Sequence, residues 1–200
     1  MDSLDITVPK VFIIESLKFE DEASDFYEGK LISKILTMSG IEHKYFYIRT
    51  EKELKALLSQ FYDLKYRYLH ISCHGNSSSI GTTLDSIPFS RLAELLETNL
   101  LKKRLFLSAC QSANKNLANT IFKKTGCFSL IGSNKTINID DAAIFWASFY
   151  QLMFKKNSKA MYRDTLVPTL SKLAKVHEVP IKYFTAKHRN ESGWEEVKLK

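Results

Sequence analysis

Two short apolar runs, Tyr68-Leu69-His70-Ile71-Ser72 and Leu105-Phe106-Leu107-Ser108, each break off abruptly into reactive side chains. Apolar runs of this length, bounded by small or polar residues, predict strands buried on both faces, as in parallel sheets. Four more segments share the pattern: 10–15, 43–48, 127–131 and 181–185. Between them the apolar period changes. Leu31, Ile32, Ile35 and Leu36 predict a helix over 26–38, stopped by Ser39-Gly40. Thr50 with Glu53 forms a capping box for a helix whose inner stripe is Leu54, Leu57, Leu58 and Phe61. Further helices are predicted over 90–96, capped by Ser90, over 114–124, and over 142–154, capped by Asp140 or Asp141, with a last one over 160–176. Six strands interleaved with helices specify a doubly wound α/β sandwich. Residues 1–200 read as a single domain, with 187–200 a loosely held basic tail. The acidic segment 20–25 and the Ser-rich segment 76–81 read as loops, the latter mobile because it has little to bury. A β-like piece at 82–84 and a turn at Asp85-Ser86 follow it.

A strand, crossover helix and strand lie parallel, with their carboxyl ends on one rim, where open α/β sheets bind ligands. His74 and Cys110 are expected to face each other there. A thiolate attacks carbonyl carbon at neutral pH when something protonates the leaving amine, and an imidazole can do so. Gly75, lacking a side chain, leaves its N–H open to a developing oxyanion, and the N–H of Cys110 is the candidate second donor. Spacing alone, however, favours a plainer account in which His74 ends a strand and Cys110 is a buried thiol.

The motifs shift that balance. His-Ile-Ser-Cys-His-Gly at 70–75 and Leu-Ser-Ala-Cys-Gln-Ser at 107–112 resemble the paired signature of the CHAT group of caspase-like cysteine peptidases, relatives of caspases and separases. Ile131-Gly132-Ser133, and Asp141-Ala142-Ala143 through Phe149-Tyr150, are similar to the strand and aromatic helix that follow the nucleophile in that group. The resemblance spans residues 11 to 184. It implies a caspase-like three-layer sandwich, with a mostly parallel six-stranded sheet and helices on both faces. It implies His74 and Cys110 as catalytic residues, Gly75 and Cys110 as the oxyanion hole, and a cysteine endopeptidase that needs no cofactor. The caspase form Gln-Ala-Cys-Arg-Gly is absent, so cleavage after aspartate is not implied. Ser108 stands two places before Cys110, where metacaspases carry an acid. Ser108, Asp140 and Asp141 are expected to contact substrate. Acidity at 20–25 and at Asp140 and Asp141 suggests a basic residue on the acyl side.

Other candidates read as structural. His70 lies mid-strand and is expected to be a satisfied core histidine facing a helix, and Cys73 points to the opposite face from His74. Cys127 opens a buried strand. No second Cys or His pair completes a metal site, so none is expected. The Phe145, Trp146, Phe149, Tyr150 and Phe154 cluster has the spacing of a core face, and glycine-rich phosphate loops are lacking. No apolar stretch is long enough to span a membrane. A net charge of +7 is spread along the chain without a nucleic-acid-binding motif, so no nucleic-acid partner is expected. Three cysteines without framework spacing fit a reducing compartment, and the acidic start, Met1-Asp2-Ser3-Leu4-Asp5, is unlike a signal peptide. A cytoplasmic location is therefore expected, with a protein substrate and an activating protein partner to restrain an open endopeptidase. The alternative is a catalytically silent domain of the same fold serving interaction or signalling.

Overall fold

The computed structural model describes residues 7–187 and 191–199. In chain order the elements are β1 (Val8–Glu15), α1 (Phe19–Ala23), α2 (Glu28–Met38), β2 (His43–Tyr47), α3 (Glu51–Asp63), β3 (Tyr66–Ser72), β4 (His74–Gly75), β5 (Ser79–Gly81) and β6 (Ser86–Pro88). There follow α4 (Phe89–Leu96), β7 (Arg104–Ser108), α5 (Lys115–Lys124), β8 (Ser129–Ser133), α6 (Ile139–Lys156), α7 (Arg163–Val176), β9 (Ile181–Ala186) and β10 (Trp194–Val197). The main sheet runs β10-β9-β8-β7-β3-β1-β2, and a small antiparallel sheet β4-β5-β6 stands beside it. The β2-β1-β3-β7-β8 block is parallel, whereas β9 and β10 pair antiparallel.

Side-chain alternation sorts the core into two layers. Phe12, Ile14, Leu69, Ile71, Leu105 and Leu107 face α3, α4 and α5. Val11, Ile13, Tyr68 and Phe106 face α2, α6 and α7. A strand buried on both faces has no polar side to spare, which is why these segments read as continuous apolar runs. The aromatic face of α6 is core, as its spacing predicts: Phe145, Trp146, Phe149 and Tyr150 are buried against Phe106.

The sheet has seven strands, not the expected six. The extra strand comes from the segment expected to be loosely held: Trp194 stacks edge-on against Phe184 at 5.3 Å, and Glu195 and Glu196 pair with Lys187 and Lys182. Residues 188–190 and 200 of that tail lie outside the described residues. The 76–81 segment also differs from expectation. Residues 76–78 form the turn between β4 and β5 and residues 79–81 are β5 itself, with Asn76 Oδ1 accepting from the amides of Ser78 and Ser79, Ser112 donating to Asn76 O, and Ile80 buried. The strand after it is β6, slightly beyond the expected piece at 82–84. Part of the acidic 20–25 segment is the short helix α1.

Two helices start one to three residues earlier than expected, at caps that make no side-chain hydrogen bond. The capping box at Thr50 and Glu53 forms as expected. Asn138, not Asp140 or Asp141, is the N-cap of α6; both aspartates sit in its first turn, where carboxylates favour the positive end of the helix dipole. Pro88 takes the N-cap of α4 and leaves Ser90 inside the helix.

Candidate active site

The register of β3 on β7 pairs Ser72 with Ser108, so the two strands end level. His74 lies two residues past Ser72 and Cys110 two past Ser108. Both line one small cavity of about 70 Å³, together with Leu17, Glu28, Ala109, Ile137 and Ile139. The structure thus places His74 and Cys110 on the wall of one cavity at the carboxyl rim, each with its own hydrogen-bond partner.

Gly75 makes that approach possible. A Cβ there would fall 2.3 Å from Ser112 Oγ, 2.9 Å from Ala109 Cβ and 3.0 Å from Cys110 O, so only glycine lets β4 lie against the Cys110 turn. After Cys110 the chain turns sharply, with Gln111 at φ 60°. A non-glycine residue there carries roughly 1 kcal/mol of strain. Three hydrogen bonds hold it: the Gln111 amide to Lys135 O at 3.0 Å, its side chain to Thr136 at 3.3 Å, and Asn114 Nδ2 to Gln111 O at 2.8 Å. The strained corner lifts Cys110 off the end of β7. Its sulfur is bracketed by the Ile137 backbone, 3.5 Å from the carbonyl oxygen and 3.5 Å from the amide nitrogen.

His74 Nε2 lies 2.5 Å from Asp21 Oδ2. The neighbouring Glu22 takes the Arg49 guanidinium in a two-point grip, Nε to Oε1 at 3.0 Å and Nη2 to Oε2 at 2.6 Å, with the Tyr47 hydroxyl on the same carboxylate. Arg49 holds the Glu22 carboxyl below its ordinary range.

The base of the cavity is acidic. Glu28, nearly fully buried, accepts from the Ser108 hydroxyl at 2.8 Å and has its other oxygen 3.3 Å from His70 Nε2. His70 Nδ1 is 3.0 Å from the Tyr150 hydroxyl, which burial keeps protonated. His70 is thus a satisfied core histidine on the helix-facing side, as expected. Glu28 also lines a larger cleft of about 730 Å³ that shares Ile139 with the small cavity and adds Asp25, Tyr27, Leu31 and Asp140. Asp140 reaches this cleft. Asp141 does not line it, and accepts from Asn138 instead at 3.1 Å.

The other thiols are placed differently. Burial pushes the Cys73 thiol up to about 12, and the Cys127 thiol likewise to about 12. Neither is a thiolate at neutral pH.

Sequence reasoning missed two residues. Glu28 carried a signal, because it falls in phase with Ile32 and Leu36 on the buried face of α2, where a carboxylate is out of place. Asp21 carried none beyond membership of an acidic segment.

No family model matches the chain, and no curated protein matches it. Solved structures do. A secreted C11 cysteine protease from Bacteroides thetaiotaomicron superposes with a TM-score of 0.56 over 90% of this chain and 67% of its own, at 11% identity. The same type of protease in complex with an irreversible peptide inhibitor gives 0.61 over 89% and 66%, at 10% identity. The Arg specific cysteine proteinase gingipain R gives 0.58 over 88% and 44%, at 13% identity. The fold is caspase-like. The chain spans about two thirds or less of each of these proteins, and at such identities the likeness speaks for the fold alone. Among the described residues no helix is long and apolar enough to cross a membrane.

Proposed function

We propose that this chain is a cysteine endopeptidase of the CHAT type. The observation that carries the reading is the shared cavity at the level ends of β3 and β7, into which one strand extension delivers His74 and the other Cys110. In the proposed reaction the Cys110 sulfur attacks a peptide carbonyl, and the tetrahedral oxyanion is received by the amides of Gly75 and Cys110. His74 passes the proton lost by the thiol to the leaving amine as the C–N bond breaks. Water, deprotonated by His74, then opens the thioester and restores the thiol.

A basic acyl-side residue would enter beside Glu28 and Asp140; Lys30, which pairs with Asp25 at 4.0 Å, and Lys34 line the same cleft, so the preference rests on Glu28 and Asp140 alone. The Arg specificity named for one structural neighbour is in keeping with this. Ser108 contributes by fixing the Glu28 carboxylate, being itself buried; Asp141 is the weakest of the expected contacts.

A protein partner that raises activity, and a cytoplasmic setting, remain part of the proposal. The hydrogen bonds that hold residues 76–79 favour a partner over ordering of that segment as the means. The second reading, a silent interaction domain, draws on the separate hydrogen-bond partners of thiol and imidazole. The deciding experiment is N-terminal mass spectrometry of a proteome incubated with wild-type chain or with Cys110→Ala. New termini that follow basic residues only in the wild-type sample support the peptidase. Identical termini in both samples, with and without cell extract as a source of partner, favour the silent domain.

A further inference from the structure

The thiol–imidazole pair accounts for two reacting groups but leaves the ring's orientation unexplained. His74 is on the two-residue strand β4, its side chain is 41% exposed, and nothing in a short hairpin fixes an imidazole about its own axis. We propose that Asp21 is the positioning residue for His74. Its carboxylate holds the Nε2–H and so assigns Nδ1 as the nitrogen that exchanges a proton with thiol, leaving amine and water. This inference rests on the peptidase reading.

Three features support it beyond the 2.5 Å contact. First, α1 contains no buried residue, so its placement has to come from polar anchors. Residue 22 supplies one through its two-point grip on Arg49, whose guanidinium also lies over the Phe19 ring at 5.8 Å. Second, successive residues on a helix project about 100° apart, so the neighbour of an anchored Glu22 is aimed in a different, fixed direction. Asp21 is aimed at His74. Third, the strand end leading into α1 is tied to the β5–β6 turn: Thr83 Oγ1 donates to Leu17 O at 2.7 Å, and its amide donates to Ser16 Oγ at 3.0 Å. The carboxylate and the imidazole are thus carried by two segments braced against each other. An incidental surface ion pair has no need of such bracing, and would contribute little.

The proton path then balances. The thiol proton moves to Nδ1, giving an imidazolium with Nε2–H on Asp21. Nδ1–H protonates the amine as the C–N bond breaks. In deacylation Nδ1 accepts a proton from water as its oxygen attacks the thioester and the sulfur departs; that proton returns to sulfur. No proton passes to Asp21 along this path.

The test uses the full chain and its Asp21→Ala and Asp21→Glu variants. Nitrogen-15 NMR of His74 in a Cys110→Ala background should show the ring as the Nε2–H tautomer with Asp21 present, and a mixture in Asp21→Ala. With active thiol, kcat should fall roughly 10- to 1,000-fold in Asp21→Ala while KM stays within about threefold, and Asp21→Glu should recover part of the loss. An unchanged tautomer in Asp21→Ala overturns the inference, as does kcat within twofold of wild type. A chain that cleaves nothing with or without cell extract defeats the peptidase reading instead, and the NMR arm still decides whether Asp21 fixes the ring.

Discussion

His70 and His74 stand four residues apart on one run of chain, and each meets a carboxylate: Glu28 at 3.3 Å for the first, Asp21 at 2.5 Å for the second. Their surroundings differ in every other respect. His70 is fully buried, with Tyr150 on its second nitrogen and Trp146 edge-on at 5.2 Å, so both polar atoms are spoken for and no solvent or substrate can reach them. His74 has one nitrogen held and a large part of its ring open beside a cavity that also holds a thiol. A histidine closed into a hydrogen-bonded core adds stability and fixes packing, whereas one with a nitrogen left open at a strand end can move protons. Residue type and partner type do not separate the two. Burial and the unfilled valence do.

The largest effect expected on this comparison is catalytic. His74→Ala and Cys110→Ala should each lower kcat/KM at least about 1,000-fold on whichever peptide the library selects, with the urea midpoint little changed, because neither side chain is core. His70→Ala should do the reverse. It leaves the Glu28 carboxylate and the Tyr150 hydroxyl buried with a partner missing, and urea denaturation should show a loss of about 3 kcal/mol. The gentler His70→Gln and Cys73→Ser should keep at least partial activity. Abolished cleavage in His70→Gln, in a chain as stable as wild type, would erase the distinction drawn between the two histidines.

A third carboxylate, buried like Glu28, sharpens the point, since the hydrogen bonds that Glu15 accepts come from amides and a hydroxyl and not from a cation. It accepts from the amides of Gly29 and Lys30 and from the Tyr45 hydroxyl, but burial outweighs these bonds and, with Glu28 nearby, lifts it from 4.5 to about 7. The folded chain therefore holds this proton more tightly than the unfolded one. Its contribution is fully present below about pH 4.5 and is lost as pH rises through about 7, a change on the order of 3 kcal/mol. Glu15→Gln should flatten that part of the stability profile between pH 5 and 8, measured by urea denaturation at each pH. An unaltered profile would mean that Glu15 ionises as freely in the fold as outside it.

The smallest effect is expected at Arg49. Arg49→Ala removes the grip on Glu22 and loosens α1, so kcat should drop a few-fold through Asp21, with the urea midpoint little changed because the pair is near the surface. A kcat equal to wild type would indicate that α1 is positioned without it.

Much of this was legible in the sequence. The parallel core strands announced themselves as apolar runs, and His74 and Cys110 fell where two such runs end. The start of α3 was readable from Thr50 and Glu53 because a capping box is closed within four residues. Less local choices were not. Asn138 took the cap of α6 from Asp140 and Asp141, and Ser79–Gly81 became a strand because Ile80 found a buried site that its Ser-rich neighbours do not suggest.

What the sequence alone determined is the alternation of apolar period, hence the layered α/β class, and the pairing of a thiol motif with an imidazole motif at strand ends. Only the tertiary structure decided which carboxylates serve them. Asp21 meets His74 across 53 residues, and Glu28 meets Ser108 across 80. Such contacts depend on the register of β3 on β7 and on how α1 and α2 return over the rim. The periodicity that specifies an element carries no record of which distant element it will touch.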